Sequence, residues 1–148
     1  MKITSPAFHP GDEMPLPYTC LGPNINPPLN FEDVPQDAQS LVLIFEDVDA
    51  TPKPWTHWLL FNLPPDTAVT EDAIPAGATE GLANNHSFGY EGPCPKYFNG
   101  THRYWFRLYA LSKKLDLPPA TGREEVELEM KNCILAQAEL QVLCTAKA

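Results

Sequence analysis

Three stretches of the chain carry the strongest apolar signal, and each reads as a strand. Leu41-Val42-Leu43-Ile44-Phe45 is a continuous apolar run, too short for a helix and long enough for a buried strand. His57-Trp58-Leu59-Leu60-Phe61-Asn62-Leu63 is a second, stopped by Pro64-Pro65. The third runs from His102 to Leu111 and alternates: Tyr104, Phe106, Leu108 and Ala110 fall on one face, Arg103 and Arg107 on the other. One later segment has the helical period. Arg123 to Leu140 contains no Gly or Pro, and Val126, Met130, Cys133, Ile134 and Leu140 predict its apolar stripe. Thr121 with Glu124 three residues on reads as a capping box, and early glutamates with a later Lys131 suit the helix dipole.

Between these elements the chain is punctuation. Gly11-Asp12, Gly22-Pro23 and Pro27-Pro28 mark turns in the first forty residues, and 66–92 is polar and glycine-containing. Seventeen prolines sit between apolar runs, so the pattern is of short segments joined by stiff turns. There is no internal repeat and no linker. The expectation is one domain over 1–148, mainly β: an antiparallel β-sandwich with one C-terminal helix and short helical turns.

Composition narrows the function. The 148 residues are 43% hydrophobic and 20% charged, an ordinary globular balance. A net charge of −9 argues against nucleic acid, which is held by clustered Lys and Arg, and against an anionic membrane surface. No run approaches the ~20 apolar residues of a membrane helix. Met1-Lys2-Ile3-Thr4-Ser5-Pro6 meets a proline too early for a signal peptide, so the chain is expected to be cytoplasmic. Cys20, Cys94, Cys133 and Cys144 show no C-x-x-C pairing or zinc spacing, and in a reducing compartment they are expected to be free thiols.

The residue types that carry chemistry fall in three clusters. Asp47-Val48-Asp49 ends the first strand, Trp55-Thr56-His57-Trp58 opens the second, and Gly92-Pro93-Cys94-Pro95 leads into Gly100-Thr101-His102-Arg103-Tyr104. Strand ends present side chains to a cleft. Two histidines beside carboxylates, with backbone N–H groups from a glycine turn, form a small polar pocket able to hold a phosphate without lysine. The plainer readings are a turn cap for Asp47 and Asp49, ordinary strand positions for His57 and His102, and core for Trp55 and Trp58. His9 and His86 have no partner pattern. No H-E-x-x-H or H-x-H spacing suggests a metal, and no G-x-S-x-G elbow suggests a serine hydrolase.

Taken in order, these blocks resemble the phosphatidylethanolamine-binding protein family, in its bacterial Raf-kinase-inhibitor-like branch. The likeness runs nearly end to end: Ser5-Pro6-Ala7-Phe8, Tyr18-Thr19-Cys20, Asn24 to Leu29, Asp47-Val48-Asp49-Ala50, Trp55-Thr56-His57-Trp58, Tyr90-Glu91-Gly92-Pro93-Cys94-Pro95, Gly100-Thr101-His102-Arg103-Tyr104, and Ile134 to Leu140 as the closing helix. The resemblance implies a sandwich with a small anion pocket at one end, walled by Asp47, Asp49, His57, Gly92, Pro93, His102 and Tyr104. In that reading the histidines donate to the anion, Asp47 orients them, Gly92 lets the backbone approach and Tyr104 adds a hydroxyl.

It further implies a phosphate or phosphoethanolamine head group as ligand, no metal or organic cofactor, a kinase or serine protease as protein partner, and a homodimer. The alternative is a hydrolase with Asp47 and His57 as an acid–base pair on a phosphoester or acyl substrate. Four departures from the family pattern stand out, one of them Cys133, where the helix commonly carries a histidine. Asp47-Val48-Asp49-Ala50-Thr51 lacks the usual prolines, Glu91 stands where many bacterial relatives carry glycine, and Val142-Leu143-Cys144 replaces a G-T-Y ending.

Overall fold

The run at 41–45 forms the centre of a five-stranded sheet. In the computed structural model, which describes residues 1–146, it belongs to β3 (Ser40–Asp47). The other elements are β1 (Lys2–Thr4), β2 (Asn30–Glu32), β4 (Trp55–Leu63), β5 (Thr79–Glu80), β6 (Thr101–Leu111), α1 (Arg123–Met130) and β7 (Ile134–Thr145). Two 3-10 turns, Leu16–Tyr18 and Pro95–Tyr97, each carry a proline in their first residues. The large sheet is ordered β5-β4-β3-β6-β7 with every pairing antiparallel; β1 and β2 form a second, two-stranded sheet.

All eight residues of β3 are buried because both faces of the sheet are covered. Leu41, Leu43 and Phe45 point into a core with Ile3, Phe8, Leu29, Trp58, Leu60, Tyr104 and Phe106, beneath β1, β2 and the N-terminal coil. Val42 and Ile44 point the other way, onto Leu59, Phe61, Leu111, Val126 and Met130. The same alternation separates the two acids that end the strand. Asp47 continues the face of Phe45, while Glu46 continues the face of Ile44 and meets Arg107 and Arg123.

The long C-terminal helix is corrected. α1 stops at Met130, and 134–145 is a strand paired along the whole of β6, from Thr101↔Thr145 to Leu111↔Ile134. The reason lies in the period. Val126, Met130 and Cys133 are spaced for a helix, but Leu140, Val142 and Cys144 are buried at every second position, with Ala136 and Ala138 on the same core. Without β7, the eleven residues of β6 would leave a row of backbone donors and acceptors on an open edge. The capping box is also corrected: Gly122 is the N-cap and makes no side-chain cap bond, because the Thr121 hydroxyl donates to the Pro118 carbonyl at 2.6 Å. Glu124 and Glu125 do occupy the first turn.

The expectation of four free thiols is corrected as well. Cys20 and Cys94 are joined by a disulfide across 74 positions; Cys133 and Cys144 are free and buried.

Candidate functional site

A cavity of about 600 Å³ opens where β3, β4 and β6 end. Asp47, Asp49, His57, His102 and Tyr104 line it, with Thr51, Trp55, Glu91, Cys94, Tyr97, Phe98 and Asn99. A larger cleft, about 760 Å³, lies across the Pro95–Tyr97 turn and is walled by Met14, Pro15, Leu16, Leu21 and Pro95. It is mostly apolar and holds no histidine, so the chemistry sits in the smaller one.

His57 reaches the cavity through a bulge. In the β3–β4 ladder Phe45 faces Trp58 and Glu46 faces Thr56, leaving His57 as an extra residue. Strict alternation would send it to the face of Leu59. The bulge turns it to the opposite face, where its ring lies 5.8 Å from that of Phe45 and 5.3 Å from that of Tyr104. Its Nδ1 is 2.7 Å from the Glu91 carbonyl oxygen. A carbonyl only accepts, so Nδ1 carries the hydrogen and, in the neutral ring, Nε2 is an acceptor. Burial pushes the His57 pKa below its ordinary value, against the pull of the Glu91 carbonyl and the Asp47 charge. His57 is therefore a neutral acceptor at pH 7 and becomes a donor to an anion only on taking up a proton.

His102 is held differently. Its Nδ1 meets Asp47 Oδ2 at 2.6 Å, and Phe98 stacks on its ring with centroids 3.8 Å apart. The other Asp47 oxygen accepts the Asp49 amide at 2.9 Å. Asp47 thus orients one histidine, not two, and the acid–base pair expected between Asp47 and His57 is formed instead by Asp47 and His102. Asp49 is taken by Arg103, whose backbone N–H, Nε and Nη2 all donate to it, at 2.7, 3.0 and 2.8 Å. Those side-chain bonds hold its carboxyl down at about 2. Tyr104 is buried, and its burial and the neighbouring Asp47 raise its phenol above the ordinary range.

Gly92 and Pro93 do not line the cavity. The Gly92 amide donates to Asn24 Oδ1 at 2.8 Å, and a Cβ on Gly92 would stand 1.9 Å from the Tyr18 carbonyl oxygen. The Pro93 carbonyl accepts the Cys20 amide at 3.0 Å. This pair anchors the segment that carries the Glu91 carbonyl and Cys94. The Glu91 carboxylate accepts from Asn85. Phe98 was not legible as a site residue, since no spacing rule links it to His102. Among the described residues no group of three or more His, Cys, Asp or Glu side chains is placed to hold a metal ion.

Comparison with known proteins gives a consistent match. The family described as phosphatidylethanolamine-binding protein matches residues 4–145. A protein of Methanothermobacter thermautotrophicus described only as UPF0098 is 43% identical over 146 residues, covering 95% of each chain. The crystal structure of CT736 from Chlamydia trachomatis, described as a homologue of that family, superposes with a TM-score of 0.92 at 38% identity, covering 99% of this chain and 97% of that one. YbcL of E. coli, described as a member of the mammalian family, gives 0.90 at 25% identity, covering 99% and 98%.

Proposed function

The chain belongs to the phosphatidylethanolamine-binding protein family, and from that premise we propose that it binds a small anion or phosphorylated head group, such as phosphate or phosphoethanolamine, and does so to regulate a protein partner. One observation carries the reading. Two imidazoles from the strands on either side of β3 share one cavity, each with Nδ1 fixed by an acceptor, which leaves both Nε2 atoms for a ligand. On protonation both become charge-assisted donors to an anion. The site needs no metal or organic cofactor for this. Lining residues Trp55, 41% exposed, and Tyr97, 85% exposed, offer an apolar rim where a kinase or protease could sense the filled pocket.

The test is an NMR titration of the ring signals with phosphate and phosphoethanolamine, in wild type, His57→Ala and His102→Ala. Saturable shifts in both rings, lost in either variant, are expected. No movement at millimolar ligand would sink the reading. Sedimentation velocity with and without ligand reads the expected homodimer.

The Asp47–His102 pair favours a second reading, general acid–base hydrolysis of a phosphoester. No activated side-chain nucleophile accompanies it among the cavity residues, so water would have to attack; turnover abolished by His102→Ala is its signature. Among the described residues no helix is long and apolar enough to cross a membrane. The expected free thiols followed from a reducing cytoplasm; the Cys20–Cys94 bond fits an oxidising compartment, or a thermophile's cytoplasm, better.

A further inference from the structure

The segments 18–24 and 90–94 are laced together. The Tyr90 hydroxyl donates to the Tyr18 carbonyl at 2.7 Å, the Gly92 amide to Asn24 Oδ1 at 2.8 Å, and the Cys20 amide to the Pro93 carbonyl at 3.0 Å. The Cys20–Cys94 disulfide is the last stitch. Beyond it the lacing stops. Tyr97, Phe98 and Asn99 form the front wall of the cavity, held by a bond of 3.2 Å from the Tyr97 amide back to the Cys94 carbonyl, by the stack of Phe98 on His102, and by the packing of Phe98 against the edge of the core. The next backbone bond is at Gly100, whose carbonyl accepts the Ala146 amide at 2.8 Å, just before β6 begins at Thr101. Cys94 is thus the hinge post of a wall that no hydrogen bond past it ties to 18–24, and Cys94 itself lines the cavity.

We propose that the Cys20–Cys94 bond is a redox latch on the binding cavity: intact, it holds the 94–99 wall in the binding-competent position, and its reduction by a dithiol frees the wall and weakens the anion site. This rests on the anion-binding reading above. The exchange balances. One thiolate of the reductant attacks a cystine sulfur, the S–S bond breaks to a mixed disulfide, and the reductant's second thiol displaces the remaining cysteine. Two electrons and two protons pass to the protein, which gains two thiols while the reductant leaves as a cyclic disulfide. Both cysteines are half-buried, and Cys94 is reachable from the cavity side. Cys133 and Cys144 are buried, so the latch is the accessible redox centre of the four.

If the freed wall occupies the competent position about a tenth of the time, apparent affinity falls about tenfold. The experiment uses the full chain, oxidised and then reduced with dithiothreitol. Amide exchange over 96–100 and the ring signals of His57 and His102 are read first without ligand, then inorganic phosphate is titrated. Reduction is expected to speed exchange in the wall and to shift His102 more than His57, because the Phe98 stack is lost. It should weaken phosphate about tenfold, with recovery on reoxidation. The double variant Cys20→Ser/Cys94→Ser should match the reduced protein and ignore dithiothreitol. If that variant does not fold, the reversible wild-type comparison decides alone. Equal phosphate affinity in the two states overturns the latch even where exchange quickens. Should the oxidised protein take no phosphate, the anion reading fails separately, and unchanged wall exchange then overturns the latch.

Discussion

His102 sits two residues before Tyr104, the β6 residue that faces Asp47 in the ladder, yet its Nδ1 meets Asp47 Oδ2 at 2.6 Å. β3 ends at Asp47 while β6 begins earlier, at Thr101, so His102 overhangs the end of its neighbour and leans back over it. The carboxylate fixes which nitrogen carries the hydrogen and therefore which nitrogen faces the ligand. Asp47→Asn keeps the size and replaces the carboxylate that accepts from His102 Nδ1 with a neutral amide. We expect phosphate affinity to fall about tenfold or more, the worth of one hydrogen bond to a charged group. Calorimetric titration checks it; an unchanged affinity would place the pair outside the binding site.

His57 gives the site its pH dependence. Because burial holds its pKa below 6.5 in the protein alone, an anion at Nε2 must bring a proton with it. Affinity should therefore rise as pH falls from 8 towards 5.5, by up to about tenfold per unit for one linked proton. Sulfate is the probe of choice because its own charge does not change in this range. Titrations in two buffers of different ionisation enthalpy should report net proton uptake. Stability runs the opposite way. A folded pKa below the unfolded one means that the unfolded chain binds more protons, so the protein alone loses stability as pH drops below about 6.5. Added sulfate should offset that loss in thermal melts at pH 5.5 more than at pH 8.

Much of this site is legible in the sequence. The two strand-end clusters and the His102 block are short, ordered and chemically distinctive, and the strands that carry them are uniformly apolar or cleanly alternating. Besides Phe98, three features were not legible. The bulge that aims His57 leaves no trace in the sequence, since a one-residue slip changes the face and not the composition. The Cys20–Cys94 pair is separated by 74 positions, and only folding brings its Cα atoms to 5.1 Å. The segment 123–140 has no glycine or proline to interrupt a helix, and its first two turns are one. The open edge of β6 decides the rest, a long-range demand that local periodicity does not record.

Gly92 is the position least tolerant of a side chain. A Cβ there would stand 1.9 Å from the Tyr18 carbonyl oxygen and 2.8 Å from Asn24 Oδ1, and the nearer of these is backbone with no room to yield. Gly92→Ala should cost about 3 kcal/mol, at the upper end of the usual penalty for overpacking. It should also displace the neighbouring Glu91 carbonyl from His57 Nδ1. Urea unfolding measures the first effect and the His57 ring signal the second. A variant as stable as wild type, with that signal unmoved, would contradict the lacing described here.

On the opposite face of the sheet a buried carboxylate ties α1 to β3 and β6. Glu46 is 3% exposed and accepts from Arg107 Nε at 2.5 Å and from Arg123 Nη1 at 2.8 Å and Nη2 at 3.2 Å. Burial pushes its carboxyl up, but the Arg123 and Arg107 bonds outweigh this and hold it below its ordinary 4.5. A depressed folded pKa contributes stability that is fully present above 4.5 and lost as pH falls through the folded value. Glu46→Gln leaves two guanidinium groups without their buried partner. It should cost about 3 kcal/mol at pH 7, the low end for breaking a buried pair, because both arginines keep some contact with water. For a chain of this length that is a fall in Tm of roughly 6–12 °C. The variant should also lose less stability than wild type between pH 5 and pH 3, because the group that titrates there is gone. Parallel pH–stability curves would show that Glu46 is not the carboxylate that ties α1 to the sheet. Phosphate affinity should not change, since Glu46 faces away from the cavity.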